Sequence, residues 1–313
     1  MALAFVFPGQ GSQTVGMGRE LTAAFATARH LLQEVDDALN QKLSRVMFEG
    51  PESELTLTEN AQPALLAVSL AVVRVLQQDG GIDLAEKAEM LAGHSLGEYS
   101  AICAAGSLAV ADAARLVKTR GRAMQEAVPV NEGAMAVLLG LDLETAREVA
   151  EAAAQGEVCT PANDNAPGQI VVSGHRAAVE RAIELAKEKG ARRCLLLPVS
   201  APFHSTLMAP AADVMAEALA EVTLLPPRLP IVANVIAEAV NTPESLRHLL
   251  VEQVTAPVRW RESVLYMRDR GIDTMVELGA GKVLTGLARR IDRDIAASAA
   301  GTPDEVEALI GSL

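Results

Sequence analysis

The 313-residue chain is half apolar, carries 3% aromatic residues and has a formal charge of −13 at pH 7. That length supports one large domain or two moderate ones. The charge excludes nucleic acid and an anionic membrane as main partners, while leaving room for a local basic patch that receives an acidic partner. The three cysteines, Cys103, Cys159 and Cys194, lie far apart in apolar or small-residue surroundings, so they read as buried reduced thiols rather than a metal site or disulfide framework. No cationic n-region precedes the first apolar stretch, and even the apolar run over 63–76 carries Arg74 and falls short of a membrane span. A cytoplasmic protein is expected.

In chain order, residues 2–7 read as a buried strand closed by Pro8-Gly9-Gln10-Gly11-Ser12-Gln13. Helical periodicity covers 19–39 and 62–78, with Asp79-Gly80-Gly81 as a stop. Residues 89–94 form a strand that runs into Gly93-His94-Ser95-Leu96-Gly97, followed by a helix-compatible stretch to Ser107. A further helix covers 108–127 and is ended by Pro129. The rhythm then changes: strand 134–141, helix 143–154, strands 157–162 and 169–174, helix 176–189, strand 192–199. This βαββαβ order is the ferredoxin-like split pattern. It predicts a small subdomain over 129–200 inserted into a hydrolase-like α/β core made of 1–128 and 201–313. The core resumes with helices 207–221 and 243–253, strands 231–234 and 274–278, and helix 281–291.

A strand, a tight glycine-flanked turn and a helix start around Ser95 are the parts of a nucleophile elbow. Bulkier residues at Gly93 or Gly97 would meet the neighbouring strand or helix. The helix start offers unpaired N–H groups, that of Leu96 among them, to a developing oxyanion. The same residues also fit a plain turn whose serine caps the helix. A serine nucleophile needs a general base within hydrogen-bond reach. Of the five histidines, His94 adjoins Ser95 but points the other way around the turn, His30 and His248 fall in polar helical contexts at the surface, and His175 opens a helix of the insert. His204, after a strand and a proline turn where the chain returns to the core, is the candidate, with a structural role as its alternative.

Separated motifs occur in one order: F-P-G-Q-G-S-Q at 7–13, G-H-S-L-G-E-Y at 93–99, T-R-G-R-A-M-Q at 119–125, N-x-P-G-Q at 165–169, A-P-F-H-S at 201–205 and V-E-L-G-A-G-K-V-L at 276–284. In these the chain resembles, from end to end, the bacterial malonyl-CoA:acyl-carrier-protein transacylases. The resemblance implies Ser95 as nucleophile, His204 as its base and the main-chain carbonyl of Gln253 as the group that orients the imidazole. It implies an oxyanion hole from the N–H groups of Gln10 and Leu96. Arg120 would bind the malonyl carboxylate through its bidentate fork, Met124 would line the acyl pocket, and Phe203 would crowd a branched acyl group beside the base. Outside the resemblance, Arg120 fits a solvated helix arginine, Gln253 an ordinary helix-end residue, and Met124 and Phe203 core positions.

The resemblance further implies malonyl-CoA as donor and acyl carrier protein as partner, with no metal, no redox cofactor and no nucleic acid or membrane; a monomer is expected. Carrier proteins are acidic, so docking calls for local cations. Arg289 and Arg290 are candidates, and they equally fit cations complementing a helix C-terminus. Asn163-Asp164-Asn165 receives no role. The rival readings are a sister transacylase of malonate decarboxylation or polyketide assembly, a serine esterase, and a carrier-binding scaffold without catalysis. The missing acid partner and the frame around Arg120 stand against the esterase; the joint presence of Ser95, His204 and Arg120 stands against the inert scaffold.

Overall fold

The first strand, β1 (Leu3–Phe7), is buried at every position and apolar on both faces, as a strand covered by helices on both sides must be. Its alternate residues face different cores: Leu3, Phe5 and Phe7 join one cluster, Ala4 and Val6 another. The structure, a computed structural model, describes residues 2–199 and 201–313. The remaining strands are β2 (Met90–Gly93), β3 (Gly133–Leu139), β4 (Cys159–Ala166), β5 (Gln169–His175), β6 (Arg193–Leu196), β7 (Ile231–Ala233), β8 (Glu238–Val240), β9 (Thr274–Leu278) and β10 (Ala296–Ala300).

Six strands form one sheet in the order β10-β9-β1-β2-β7-β8, parallel except for the β7–β8 edge pair. One face is covered by helix Thr58–Gln78, which packs against helices Ala26–Leu39 and Val110–Glu126. Helix Thr58–Gln78 starts a turn before the expected 62, with Pro63 inside it. At that length it is apolar enough to cross a membrane, unlike the shorter run seen in the sequence, but it is almost wholly buried inside the protein. The other face of the sheet is covered by Trp260, Val264 and Met267 of helix Trp260–Asp269 and by Leu284 and Leu287 of helix Val283–Ile291.

The second sheet is antiparallel with order β4-β5-β3-β6, the ferredoxin-like arrangement. Helices Leu143–Ala154 and Arg176–Glu188 cover one face, through Ala146, Val149, Ala178 and Val179. On the other face Met135, Ala162 and Val171 belong to the main core, so the small sheet is seated on the large one through its own apolar residues. The expected boundary at residue 200 lies outside the described residues.

Several expectations shift. The predicted helix over 19–39 is two helices, Arg19–Ala24 and Ala26–Leu39, broken where Phe25 takes extended backbone angles. β4 runs to Ala166 rather than 162, because two register shifts let its polar end keep pairing with β5 while Asn163 bridges to Val258. Helix Trp260–Asp269, strand β10 and helix Pro303–Ser312 were not read from the sequence. The alanine-rich β10 has little strand propensity of its own and is ordered by pairing with β9. All three cysteines are free; Cys103 and Cys159 are buried, whereas Cys194, on edge strand β6, is half-buried.

Candidate active site

β2 ends at Gly93, and helix Gly97–Ala104 begins at once. The turn between them is tight enough that a side chain at Gly97 would put its Cβ 2.2 Å from the Phe7 carbonyl oxygen. The His94 N–H donates to that same oxygen at 3.0 Å, so the end of β1 and the Gln10 loop lie directly against the elbow. Ser95 itself has φ 52°, in the left-handed region that non-glycine residues rarely take. The Asn234 side chain holds this geometry: its Oδ1 accepts from the Ser95 N–H at 2.7 Å and its Nδ2 donates to the Gly93 carbonyl at 2.7 Å.

The Ser95 hydroxyl lies 2.8 Å from Nε2 of His204. On the far side of the ring, Nδ1 donates to the main-chain oxygen of Gln253 at 2.9 Å, with the Ala256 oxygen at 3.2 Å. His204 is buried and also sits at positive φ, 57°. Burial, and then the charge of Arg120, push its pKa down to about 3, so the imidazole is neutral and able to accept a proton. Gln253 is the residue that ends helix Pro243–Glu252, which aims its carbonyl out of the helix toward the ring.

Arg120 is not a solvated arginine. It is 1% exposed on helix Val110–Glu126. Its Nη1 donates to Gln62 Oε1 at 2.9 Å, and its Nη2 donates to Gln253 Oε1 at 2.9 Å and to the Ser95 hydroxyl at 3.1 Å. Its Nε finds no partner among the described residues, and its guanidinium carbon lies 5.8 Å from the centre of the Tyr99 ring. Gly121 permits this: a Cβ there would stand 2.6 Å from the Thr58 carbonyl oxygen, so only glycine lets the two helices approach closely enough to join Arg120 to Gln62.

The N–H groups of Gln10 and Leu96 have no hydrogen-bond partner among the described residues, as donors kept for a ligand would. Met124 is buried, with its sulfur 3.9 Å from Gln62 Nε2, and Phe203 is a core residue next to His204. His94 turns away from Ser95 to pair Nε2 with Asn165 Oδ1 at 2.8 Å and to pack on Trp260; burial lowers its pKa. His30 and His248 are exposed, and His175 accepts the Val158 N–H. Arg289 and Arg290 are exposed at the end of helix Val283–Ile291, where they hydrogen-bond the Ala297 carbonyl and Gln169 respectively.

The sequence reading missed Gln62, Glu98, Asn165, Asn234 and the side chain of Gln253. Glu98 and Asn165 stand inside the quoted motifs, and Asn234 directly follows β7, so position was the available signal; nothing in residue type distinguished them. Among the described residues no three His, Cys, Asp or Glu side chains converge as metal ligands would.

This chain belongs to the acyl transferase domain family, which it matches over residues 4–311. It is 47% identical over 307 residues to the malonyl CoA-acyl carrier protein transacylase of Escherichia coli K12, with 98% of each chain covered. The crystal structure of acyl-carrier-protein-S-malonyltransferase from Bartonella henselae is similar at TM-score 0.97 and 54% identity, covering 100% of this chain and 99% of that one. A holo type II PKS acyl-carrier protein complex with its malonyl-transacylase is similar at TM-score 0.96 and 42% identity, with 100% of both chains covered.

Proposed function

We propose that the chain transfers the malonyl group of malonyl-CoA to the phosphopantetheine thiol of acyl carrier protein, supplying fatty acid synthesis, by way of a malonyl ester on Ser95. One observation carries the reading: a buried guanidinium, that of Arg120, stands 3.1 Å from the serine hydroxyl. A buried cation beside a nucleophile favours an acyl group that ends in a carboxylate, and the family and its relatives supply the thioester and the carrier. A second reading, service to a polyketide carrier protein, draws on the likeness to the type II PKS complex; it shares the chemistry and differs in the acceptor.

In the first half-reaction His204 Nε2 takes the Ser95 proton as Oγ attacks the thioester carbonyl. The N–H groups of Gln10 and Leu96 receive the oxyanion, and collapse expels the CoA thiolate, which leaves with the proton from His204. In the second half-reaction the carrier thiol gives its proton to His204, the thiolate attacks the ester carbonyl, and Ser95 leaves with that proton. No oxidation state changes, so no redox cofactor is called for. The Gln253 carbonyl keeps Nδ1 protonated throughout, which holds Nε2 as the acceptor. Arg120 anchors the malonyl carboxylate so that the ester carbonyl stays in place for the thiol. Met124 and Phe203 bound the acyl pocket, and Arg289 with Arg290 receive the acidic carrier.

The test is intact mass after mixing with malonyl-CoA, followed by addition of holo carrier protein. The wild-type protein forms a malonyl adduct that the carrier discharges; Ser95→Ala forms none. His204→Ala slows acylation by about three orders of magnitude, as loss of a dyad base does. An adduct that persists in Ser95→Ala overturns the assignment, and discharge to free malonate that the carrier does not accelerate identifies an esterase.

A further inference from the structure

Glu98 is wholly buried one turn behind the nucleophile, in the first turn of helix Gly97–Ala104. Its Oε2 accepts from the Asn234 main-chain N–H at 2.9 Å and from Gln253 Nε2 at 3.0 Å, while Oε1 has no partner among the described residues. Both partners lead directly to the reacting groups. The Asn234 side chain accepts the Ser95 N–H. Gln253 gives its main-chain oxygen to His204, its Oε1 to Arg120 and its Nε2 also to the Ser95 carbonyl at 3.1 Å.

The chemistry of these contacts allows one orientation of the Gln253 amide. An ionised carboxylate only accepts and a guanidinium only donates. The amide therefore turns its NH2 to Glu98 and the Ser95 carbonyl and its oxygen to Arg120, and Glu98 is the charged member of the three contacts that hold it there. The single Gln253 amide bridges the Glu98 carboxylate to the buried Arg120 guanidinium, with hydrogen bonds of 3.0 Å on one side and 2.9 Å on the other. Resting on the malonyl-transfer reading, we propose that Glu98 is a positioning residue with two tasks: it locks Gln253, and through it His204 and Arg120, and it is the buried counter-charge to Arg120 until the malonyl carboxylate takes that place. Burial raises the Glu98 pKa to about 7, so the carboxyl is able to give up its charge when the substrate carboxylate arrives.

Glu98→Gln and Glu98→Ala separate the two tasks. A glutamine oxygen still accepts from Asn234 and Gln253 but carries no charge, so Arg120 is left with the substrate as its anion. Glu98→Gln should lower KM for malonyl-CoA by about three- to tenfold relative to KM for acetyl-CoA, with kcat for malonyl-CoA kept within about threefold. Glu98→Ala removes the acceptor of the Asn234 N–H and one of the two acceptors of the Gln253 NH2, loosening both residues; kcat should fall about 10- to 100-fold, with Glu98→Gln standing as the conservative rescue. In an Arg120→Ala background the KM effect of Glu98→Gln should vanish. Malonyl-CoA against acetyl-CoA kinetics, with circular dichroism to confirm folding, reads all of these. Unchanged malonyl selectivity in Glu98→Gln, or wild-type kcat in Glu98→Ala, overturns the proposal; if Glu98→Ala does not fold, Glu98→Gln alone decides it. Wild-type acylation by malonyl-CoA, measured in the same series, tests the malonyl-transfer reading separately.

Discussion

Replacing Arg120 probes the origin of acyl selectivity. In the free site its Nη2 is shared between two neutral acceptors, the Ser95 hydroxyl at 3.1 Å and Gln253 Oε1 at 2.9 Å. A malonyl group on Ser95 offers two carboxylate oxygens in their place. A net hydrogen bond to a neutral group contributes about 1 kcal/mol and one to a charged group about 2 to 2.5 kcal/mol. Two such exchanges favour malonyl over acetyl by about 2 to 3 kcal/mol, or roughly 30- to 150-fold in specificity. Arg120→Ala should therefore lower the ratio of kcat/KM for malonyl-CoA over acetyl-CoA by that factor.

Absolute rates fall for both substrates, since Gln62 Oε1 and Gln253 Oε1 are then buried without a donor. The ratio, taken on one preparation, is insensitive to the folded fraction. Arg120→Lys should restore little of it, because one ammonium cannot span Gln62, Gln253 and a bidentate carboxylate. Steady-state kinetics with both thioesters on all three proteins makes the measurement. A ratio unchanged in Arg120→Ala would refute the reasoning and move selectivity to the pocket walls.

The remaining expectations address docking and pH. Reversing the charge of Arg289 and Arg290 together should raise KM for the carrier protein severalfold and leave acylation by malonyl-CoA nearly intact; equal loss in both half-reactions would assign the pair to helix and sheet contacts alone. Burial, and then the charge of Arg120, hold the His204 pKa at about 3, so the base of the free protein stays neutral as pH falls through 6.5 and kcat/KM for acylation should show no limb from His204 at the ordinary histidine pKa. Burial raises Glu98 to about 7, so it loses its charge as pH falls through that value, and KM for malonyl-CoA should fall with it. The ionisable groups facing Glu98 are Arg120 and Tyr99; Tyr99 is raised to about 12, so neither titrates there. Glu98→Gln should abolish the step, and a step that survives belongs to another group.

The sequence carried the elements whose apolar pattern is local. β1 and β9 fall within a residue of expectation, and the split βαββαβ order of the small sheet follows from alternation and helix periodicity alone. β10 and the polar end of β4 were not legible, because their ordering comes from neighbours distant in the chain, β9 and Val258. The site divides along the same line. Ser95 and His204 were candidates by residue type, turn chemistry and position, with structural alternatives, and the resemblance is what implied their catalytic roles. Asn234 and Gln62 do not, since a buried amide becomes functional only through what the fold sets beside it. For Gln253 the resemblance implied the main-chain carbonyl, while the side chain that bonds Arg120, Glu98 and the Ser95 carbonyl had no trace in the sequence.

The neutral third member of the site follows from the buried arginine. Where a carboxylate orients the histidine, it also stabilises the imidazolium that forms during attack. Here the group at that place belongs to Gln253, whose side chain is already 2.9 Å from Arg120. Opposite charges 4 Å apart attract by about 4 kcal/mol at the effective dielectric of a protein site. A carboxylate in that position would occupy Arg120, and the malonyl group would have to displace it. A main-chain carbonyl fixes the same tautomer without competing for the cation. The cost falls on the base, because burial and then the charge of Arg120 lower the basicity of His204. On the proposed reading, a malonyl carboxylate seated on Arg120 would offset that charge, whereas an acetyl group would leave it in place. The arrangement thus links basicity to the presence of the acidic acyl group, and the specificity ratio in Arg120→Ala measures that link together with the direct bonds.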